Sequence, residues 1–178
     1  MLVDGVKIRE ALSRYKTIAE TLASQFKESC WAFEGEAGLS PCEMDRQAKE
    51  AEEAVAELEE LQQLYNLITT VEVCGTVITL ANAVKLVGSA GRRAKAWKEV
   101  ARDNGRDRYS DRRTRSKDEI TAKRTISVKD ALAEHANAER YASQLRSAIA
   151  RGNMTTYNVG PCAADKPELN RFRPSLFE

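Results

Sequence analysis

The chain has 178 residues and a formal charge of +1, and 42% of its residues are apolar while only 6% are aromatic. This length predicts a single domain, and the alanine-rich apolar fraction predicts long packed helices around a thin core. A single histidine and four scattered cysteines exclude ordinary zinc-site spacing, and no apolar run reaches the length of a membrane span.

The same five-residue phrase opens three predicted helices. It occurs at Ile8–Leu12 (IREAL), Leu80–Val84 (LANAV) and Val128–Leu132 (VKDAL), each time after a short β-prone run. The apolar residue, the alanine and the second apolar residue lie at i, i+3 and i+4, which is one stripe of a helix. The pattern predicts a repeated unit in which a short strand leads into a long amphipathic helix.

Hydrophobic periodicity and turn signals divide the chain into short strands and long helices. Ser40 is placed to cap a helix that has Pro41 at its first position and Glu43 three residues after the cap, and Ser127 is placed to cap the last helix. Gly75 between β-branched residues predicts a tight hairpin. The predicted elements are a strand over 2–7, helices over 8–31 and 41–69, a hairpin over 71–78, a helix over 79–104, a charged loop over 106–118, a strand over 119–126 and a helix over 127–151.

These elements predict a mainly α fold, an elongated antiparallel four-helix bundle or coiled-coil hairpins with a short β-hairpin or small sheet at the helix ends. Residues 1–158 would form one helical domain, and residues 159–178 an irregular C-terminal tail. The scattered cysteines suit reduced thiols, and the N-terminus lacks the charged start and apolar core of a signal peptide. We therefore expect a cytoplasmic protein.

The order of these motifs resembles that of the septicolysin-like proteins, small helical bacterial proteins of unassigned function. The likeness covers residues 6–158 and lies in turns, caps and helix seams, so it implies a fold and no activity. Met154 stands where relatives commonly place tryptophan, and the arginine-rich insertion and the tail depart from the family pattern. The residues that carry the resemblance are Ile8, Ala11, Leu12, Glu34, Gly35, Glu36, Pro41, Thr79, Leu80, Ala83, Glu119, Ile120, Ile126, Ser127, Val128 and Asn153–Thr156.

The near-zero net charge conceals an asymmetry along the chain. Between Glu28 and Glu60 there are eleven acidic residues and two basic ones, whereas between Lys85 and Arg124 there are fourteen basic and six acidic residues. Such opposite segments predict either solvated, compensating faces or contacts between subunits.

An arginine cluster is the strongest candidate site in the sequence. Guanidinium groups bind phosphates through paired hydrogen bonds, and an aromatic ring adds stacking. Interleaved acidic residues neutralise nearly half of the charge, so three interpretations stay open: a salt-bridged arm, a pocket for a small anionic ligand such as a nucleotide, and a nucleic-acid surface. The candidate ligand-binding residues are Arg92, Arg93, Arg106, Arg108, Tyr109, Arg112, Arg113 and Arg115.

No pattern predicts a reaction. His135 with Glu139 one turn later has the spacing of a base or a metal site, but it lies on a helix seam where a hydrogen-bonded histidine is the ordinary occupant. Gly88 to Gly91 lies within a helical stripe and predicts a close helix crossing rather than a phosphate loop. We expect no catalytic residue, no metal and no cofactor.

The tail carries a small apolar set on a segment too short to fold alone. It either packs on its own bundle or a neighbouring copy, or docks another protein. The residues concerned are Phe172, Pro174, Leu176 and Phe177.

The sequence thus favours a non-enzymatic helical scaffold or interaction protein that forms a homo-oligomer and binds another protein, with no membrane partner. One alternative is a binding module, such as a phage-encoded sponge, that captures a phosphorylated small molecule or nucleotide through the arginine cluster at a subunit joint. Another is a nucleic-acid-binding accessory protein. An enzyme that uses His135 is the remaining hypothesis.

Overall fold

The computed structural model describes residues 1–26, 28–31, 40–102, 125–161 and 166–178. In these residues the fold is mainly helical with two small two-stranded antiparallel sheets, which confirms the predicted class. The helices are α1 (Gly5–Gln25), α2 (Pro41–Ile68), α3 (Leu80–Arg102) and α4 (Val128–Gly152), and the strands are β1 (Leu2–Val3), β2 (Thr70–Val73), β3 (Thr76–Thr79) and β4 (Tyr157–Asn158). Short 3-10 turns cover Glu28–Cys30, Pro167–Arg171 and Pro174–Phe177.

The first helix begins and ends earlier than the sequence predicts. A carboxylate oxygen of Asp4 accepts hydrogen bonds from the amides of Val6 at 3.0 Å and Lys7 at 2.8 Å, so the helix starts at Gly5 and β1 is only two residues long. The helix is predicted to continue to residue 31, whereas α1 ends at Gln25, and Phe26 and Trp31 beyond it are 40% and 87% exposed.

The second helix starts where its cap predicts. The Ser40 hydroxyl accepts a hydrogen bond from the Glu43 amide at 3.2 Å, and Pro41 occupies the first helical position. Hydrogen bonds from Arg46 and Gln47 hold the pKa of the Glu43 carboxyl at about 2, with Arg46 the larger cause. The acidic start of α2 therefore stays charged far below neutral pH.

The predicted hairpin forms around a two-residue turn. Cys74 and Gly75 both have positive φ values, +53° and +78°, and they join β2 to β3. Two successive positive φ values are those of a type I′ turn, whose twist matches that of the strands. Predicted positions 106–118 and most of 119–126 lie outside the described residues.

The chain divides into two compact units. Unit 1 comprises Met1–Val71, Thr79–Ala81 and Ala150–Glu178, and unit 2 comprises Glu72–Ile78 and Asn82–Ile149. By sequence, unit 1 has 11 basic and 17 acidic residues, a formal charge of −6, whereas unit 2 has 17 basic and 10 acidic residues, a formal charge of +7. The predicted charge asymmetry thus follows the division of the structure.

The core of unit 1 forms where α1 and α2 pack together and meet the end of α4. The Tyr65 side chain is buried, and its hydroxyl lies 2.7 Å from the Gly152 carbonyl oxygen and 2.8 Å from that of Thr155. The Tyr157 ring packs edge-on against that of Tyr65, with ring centres 5.5 Å apart. Tyr65 therefore ties two segments that are 87 residues apart in the chain.

Replacement of Tyr65 by phenylalanine should lower the free energy of unfolding by about 1–2 kcal/mol, because the carbonyl groups lose their donor. Burial raises the pKa of the Tyr65 phenol. A raised folded-state pKa means that this stabilisation is complete below the ordinary tyrosine pKa of about 10 and is lost as pH rises from that value through the raised folded-state pKa. Urea denaturation on both sides of that pH should show a steeper decline for the parent than for Tyr65→Phe. Equal declines would contradict the assignment.

The C-terminal segment is part of unit 1 and not an irregular addition. Its two 3-10 turns bury Leu169, Phe172 and Leu176, whose side chains are 1%, 1% and 3% exposed. Pro167 and Pro174 each stand at the start of a turn, where a fixed φ favours helical geometry. The segment acquires its structure from the surface it covers.

Unit 2 has an unusually small-residue core. Among the described residues of its helices, Leu145 is the one large aliphatic side chain that is fully buried. The Nδ1 atom of His135 on α4 lies 3.0 Å from the Ala94 carbonyl oxygen on α3. The Ser127 hydroxyl accepts a hydrogen bond from the Asp130 amide at 3.0 Å and caps α4, as predicted. The other buried apolar residues of this unit are Val73, Ala83, Ala90, Ala94, Ala131, Ala142 and Ala148.

Candidate interaction surfaces

Helix α3 carries six basic residues and one acidic residue, Glu99, so its formal charge is +5. All six basic side chains are exposed, and none forms an ion pair with any residue in the described ranges. We call their exposed side of the helix the α3 cationic face. It comprises Lys85, Arg92, Lys95 and Arg102, while Arg93 and Lys98 project from its two flanks.

The α3 cationic face turns away from the buried stripe of its helix. Lys85 and Arg92 lie seven residues apart, as do Lys95 and Arg102, so each pair shares a line along the helix. The buried stripe of Ala83, Ala90 and Ala94 lies on the other side.

Only two members of the predicted arginine cluster fall in the described part of the chain. Arg92 and Arg93 are adjacent, so they project about 100° apart and do not converge. The remaining predicted residues, Arg106, Arg108, Tyr109, Arg112, Arg113 and Arg115, lie outside the described residues. The ligand pocket predicted for the cluster therefore stays a prediction.

The predicted close helix crossing at Gly88 and Gly91 does not occur within the described residues. A methyl group built at Gly91 would meet no atom within 4 Å, and one at Gly88 would meet only the Arg92 guanidinium at 3.6 Å. Both glycines lie in the helix interior, where glycine costs about 1 kcal/mol relative to alanine. The α3 surface around them is open.

Aliphatic side chains lie exposed on both helices of unit 2. Val84 on α3 is 48% exposed, and on α4 Val128 is 46% and Leu132 is 50% exposed. Val128 and Leu132 are four residues apart, so they share a face of α4. The larger apolar groups of this unit are thus partly outside its alanine-lined core.

The acidic helix α2 is partly neutralised within unit 1. The two carboxylate oxygens of Glu57 accept hydrogen bonds from Arg173, one from its backbone amide at 2.8 Å and one from its Nε atom at 2.7 Å. Glu60 forms an ion pair with Arg171 at 2.8 Å. Glu59 pairs with Lys16 of α1 at 2.7 Å. The sequence analysis missed Arg171 and Arg173, although their spacing offers two cations to carboxylates one helical turn apart.

A second set of α2 acids points outward without such partners. Asp45, Glu52 and Glu53 are exposed and form no ion pair among the described residues. They share the outer side of α2 with Lys49 and the 60% exposed Leu67. We call this side, residues Asp45, Lys49, Glu52, Glu53, Ala56, Gln63 and Leu67, the α2 acidic face.

The apolar tail residues that the sequence predicts as a docking site pack largely within unit 1. Phe172 and Leu176 are buried, whereas Pro174 and Phe177 are half-buried. Arg14 of α1 donates to the carbonyl oxygens of Leu176 at 2.9 Å and Glu178 at 2.6 Å, which fixes the segment further. Phe172 and Leu176 are therefore core residues and cannot serve as an exposed docking surface in this conformation.

The hypothetical chemistry of His135 gains no support from its surroundings. Its Nδ1 atom is engaged with the Ala94 carbonyl, and Glu139 pairs with Arg146 at 3.3 Å. Among the described residues no three metal-binding side chains cluster. An open depression beside the tail is lined by Leu64, Pro167, Glu168, Asn170 and Arg171, and the last of these is paired with Glu60.

Comparison with known proteins identifies no relative. The chain matches no family model, no curated protein and no solved structure. Within the described ranges, no helix has the length and apolar character needed to cross a membrane.

Proposed function

We propose that the protein is a non-enzymatic helical scaffold that self-associates and offers its assembled surface to another protein. The observation that carries this proposal is the composition of unit 2, whose described residues form a core lined mainly by alanine while Val84, Val128 and Leu132 are about half exposed. Exposed apolar side chains that lie together mark interfaces, and Val128 and Leu132 share one face of α4.

The energetic argument rests on apolar area. Burial of apolar surface stabilises by roughly 25 cal/mol per Å², so an alanine contributes little and a valine or leucine about 1.5–3 kcal/mol when fully buried. If a second helical surface covered the three half-exposed aliphatic side chains, their burial would therefore stabilise the assembly by about a few kcal/mol.

Sedimentation velocity over a range of concentrations tests the proposal. We expect an oligomer at tens of micromolar that dissociates on dilution, and Leu132→Gln should weaken association while leaving the thermal unfolding temperature nearly unchanged. Met154→Gln is the matched control, because Met154 is 72% exposed but belongs to unit 1. A parent protein that sediments as a monomer throughout would refute self-association.

A second function is favoured by the α3 cationic face. Six exposed basic side chains without ion pairs in the described residues support capture of a phosphorylated small molecule or nucleotide, or of a nucleic acid. Thermal-shift measurements with nucleotides and gel retardation of DNA and RNA, each at low and high salt, test this alternative. Stabilisation or retardation that disappears in Lys95→Glu would favour it over the scaffold.

The remaining expectations complete the proposal. The relation to the septicolysin-like proteins is supported only by the turn and cap residues of the sequence. A cytoplasmic location is supported by Cys30, Cys42 and Cys74, which are free thiols on the surface, since such thiols persist in reducing compartments.

A further inference from the structure

We propose that the α3 cationic face of one copy docks on the α2 acidic face of a second copy, which joins the copies head to tail. The inference rests on the proposed self-association and assigns it one contact, which includes Val84 of α3 but not the exposed residues of α4. It starts from two unpartnered helix faces of opposite charge, which belong to different compact units of the same chain.

The pairing of charges within unit 1 shows which groups are available. Glu57, Glu59 and Glu60 are bound to cations of their own unit, whereas Asp45, Glu52 and Glu53 are exposed and have no such partner in the described ranges. On α3 none of the six basic side chains has an ion-pair partner there. The unpaired charges are thus acidic on one helix and basic on the other, which is the complementarity that orients partners and accelerates their association.

The shapes of the two faces also match. Helices α2 and α3 have 28 and 23 residues, so at 1.5 Å per residue they extend for about 42 and 35 Å. Exposed aliphatic groups accompany the charges on both, Leu67 on α2 and Val84 on α3. Gly88 and Gly91 leave open space on α3, which permits another helix to approach at the 8–10 Å typical of packed helices.

A second copy fits the α3 cationic face better than a nucleic acid does. Glu99 lies among the basic residues of this face. A nucleic-acid surface usually presents one sign of charge, whereas a protein surface such as the α2 acidic face, which includes Lys49, presents a mixed pattern. A symmetric contact between two α3 cationic faces is disfavoured because it would bring like charges together.

The contact is heterologous, since the two faces that meet are different. A joined pair of copies then keeps one free α3 cationic face and one free α2 acidic face, so assembly continues into a ring or an open chain. The predicted oligomer is therefore not limited to a dimer.

Charge reversal on each face provides the test. Lys95→Glu with Arg102→Glu should weaken self-association at least tenfold in sedimentation velocity, and so should Glu52→Lys with Glu53→Lys. An equimolar mixture of the two double variants should assemble again, because each reversed face then meets its complement. Lys129→Glu, which alters an exposed cation of α4, is the control and should assemble as the parent does.

A second measurement separates docking from folding. Gly91→Leu adds a side chain whose Cβ atom would meet no atom within 4 Å, so the thermal unfolding temperature should change little, but the added volume should block the docked helix and reduce association at least tenfold. Raising the salt concentration from about 0.05 M to about 0.5 M should weaken association as well, because it shortens the screening length.

The outcomes distinguish the two proposals. A monomeric parent refutes both. An oligomeric parent whose assembly survives both charge reversals and Gly91→Leu refutes the docking surface and leaves the scaffold proposal standing. The docking inference is also overturned if the α3 charge reversal abolishes nucleic-acid binding and leaves assembly unchanged. The same holds if the pairing of the two charged faces does not depend on protein concentration.

Discussion

Replacement of Phe172 by alanine should lower the free energy of unfolding of unit 1 by about 3–5 kcal/mol, the usual cost of truncating a fully buried phenylalanine. The Phe172 side chain is only 1% exposed and belongs to a segment that also buries Leu169 and Leu176. Chemical denaturation followed by circular dichroism measures the change. Phe177→Ala is the matched control and should cost less, because Phe177 is half-buried. Equal effects of the two substitutions would show that the segment is not held as described.

The buried side chains, rather than the ion pairs, account for most of that stability. The pairs of Arg171 with Glu60 and Arg173 with Glu57 lie at the surface, where such a pair contributes about 0–1 kcal/mol. Loss of Phe172 is expected to cost several times as much. We therefore expect high salt to weaken the attachment of the segment only slightly, in contrast to its effect on the proposed association of copies.

Gly152→Ala should destabilise the protein by about 1–3 kcal/mol, although alanine is normally the better helix former. A methyl group at this position would lie 2.7 Å from Val71 Cγ1 and 3.1 Å from Leu80 Cδ1, and both side chains are buried. A β-branched side chain has few rotamers with which to move aside, so the backbone would have to shift. Thermal unfolding of the purified variant provides the measurement.

Gly91→Ala supplies the control of opposite sign. It too replaces a glycine within a helix, but the added methyl group meets no atom within 4 Å, so the variant should gain about 1 kcal/mol. A loss of stability in Gly91→Ala, or a gain in Gly152→Ala, would contradict the packing described for these two helices.

The elements with strong local signals were predictable from sequence. Ser40 and Ser127 cap their helices through hydrogen bonds to residues three positions on, and such caps are read from a few adjacent residues. The type I′ turn at Cys74 and Gly75 forms within a predicted hairpin for the same reason. Asp4 is an equally good cap, but the β-prone residues around it favoured a longer strand, so the start of α1 was placed too late.

The features fixed by distant contacts were not predictable. Tyr65 is buried because the end of α4 reaches it, and nothing near position 65 in the sequence announces that contact. The tail looked irregular because a 3-10 turn has weak local preferences and depends on what it covers. The division into two units arises from the same long-range contacts. For the candidate surfaces, the excess of basic residues on α3 could be predicted from the sequence. Which carboxylates of α2 form ion pairs within the chain could not.

The discontinuity of unit 1 constrains how the protein is made. Its first 71 residues emerge from the ribosome before unit 2, and the segment that completes its core begins only at Ala150. At a synthesis rate of about 5–20 residues per second, the apolar side of α2 waits roughly 5–20 seconds for Phe172 and Leu176. Unit 2 is itself synthesised during that interval, so the growing chain carries a nascent acidic hairpin that is exposed to chaperones until translation reaches its last turns.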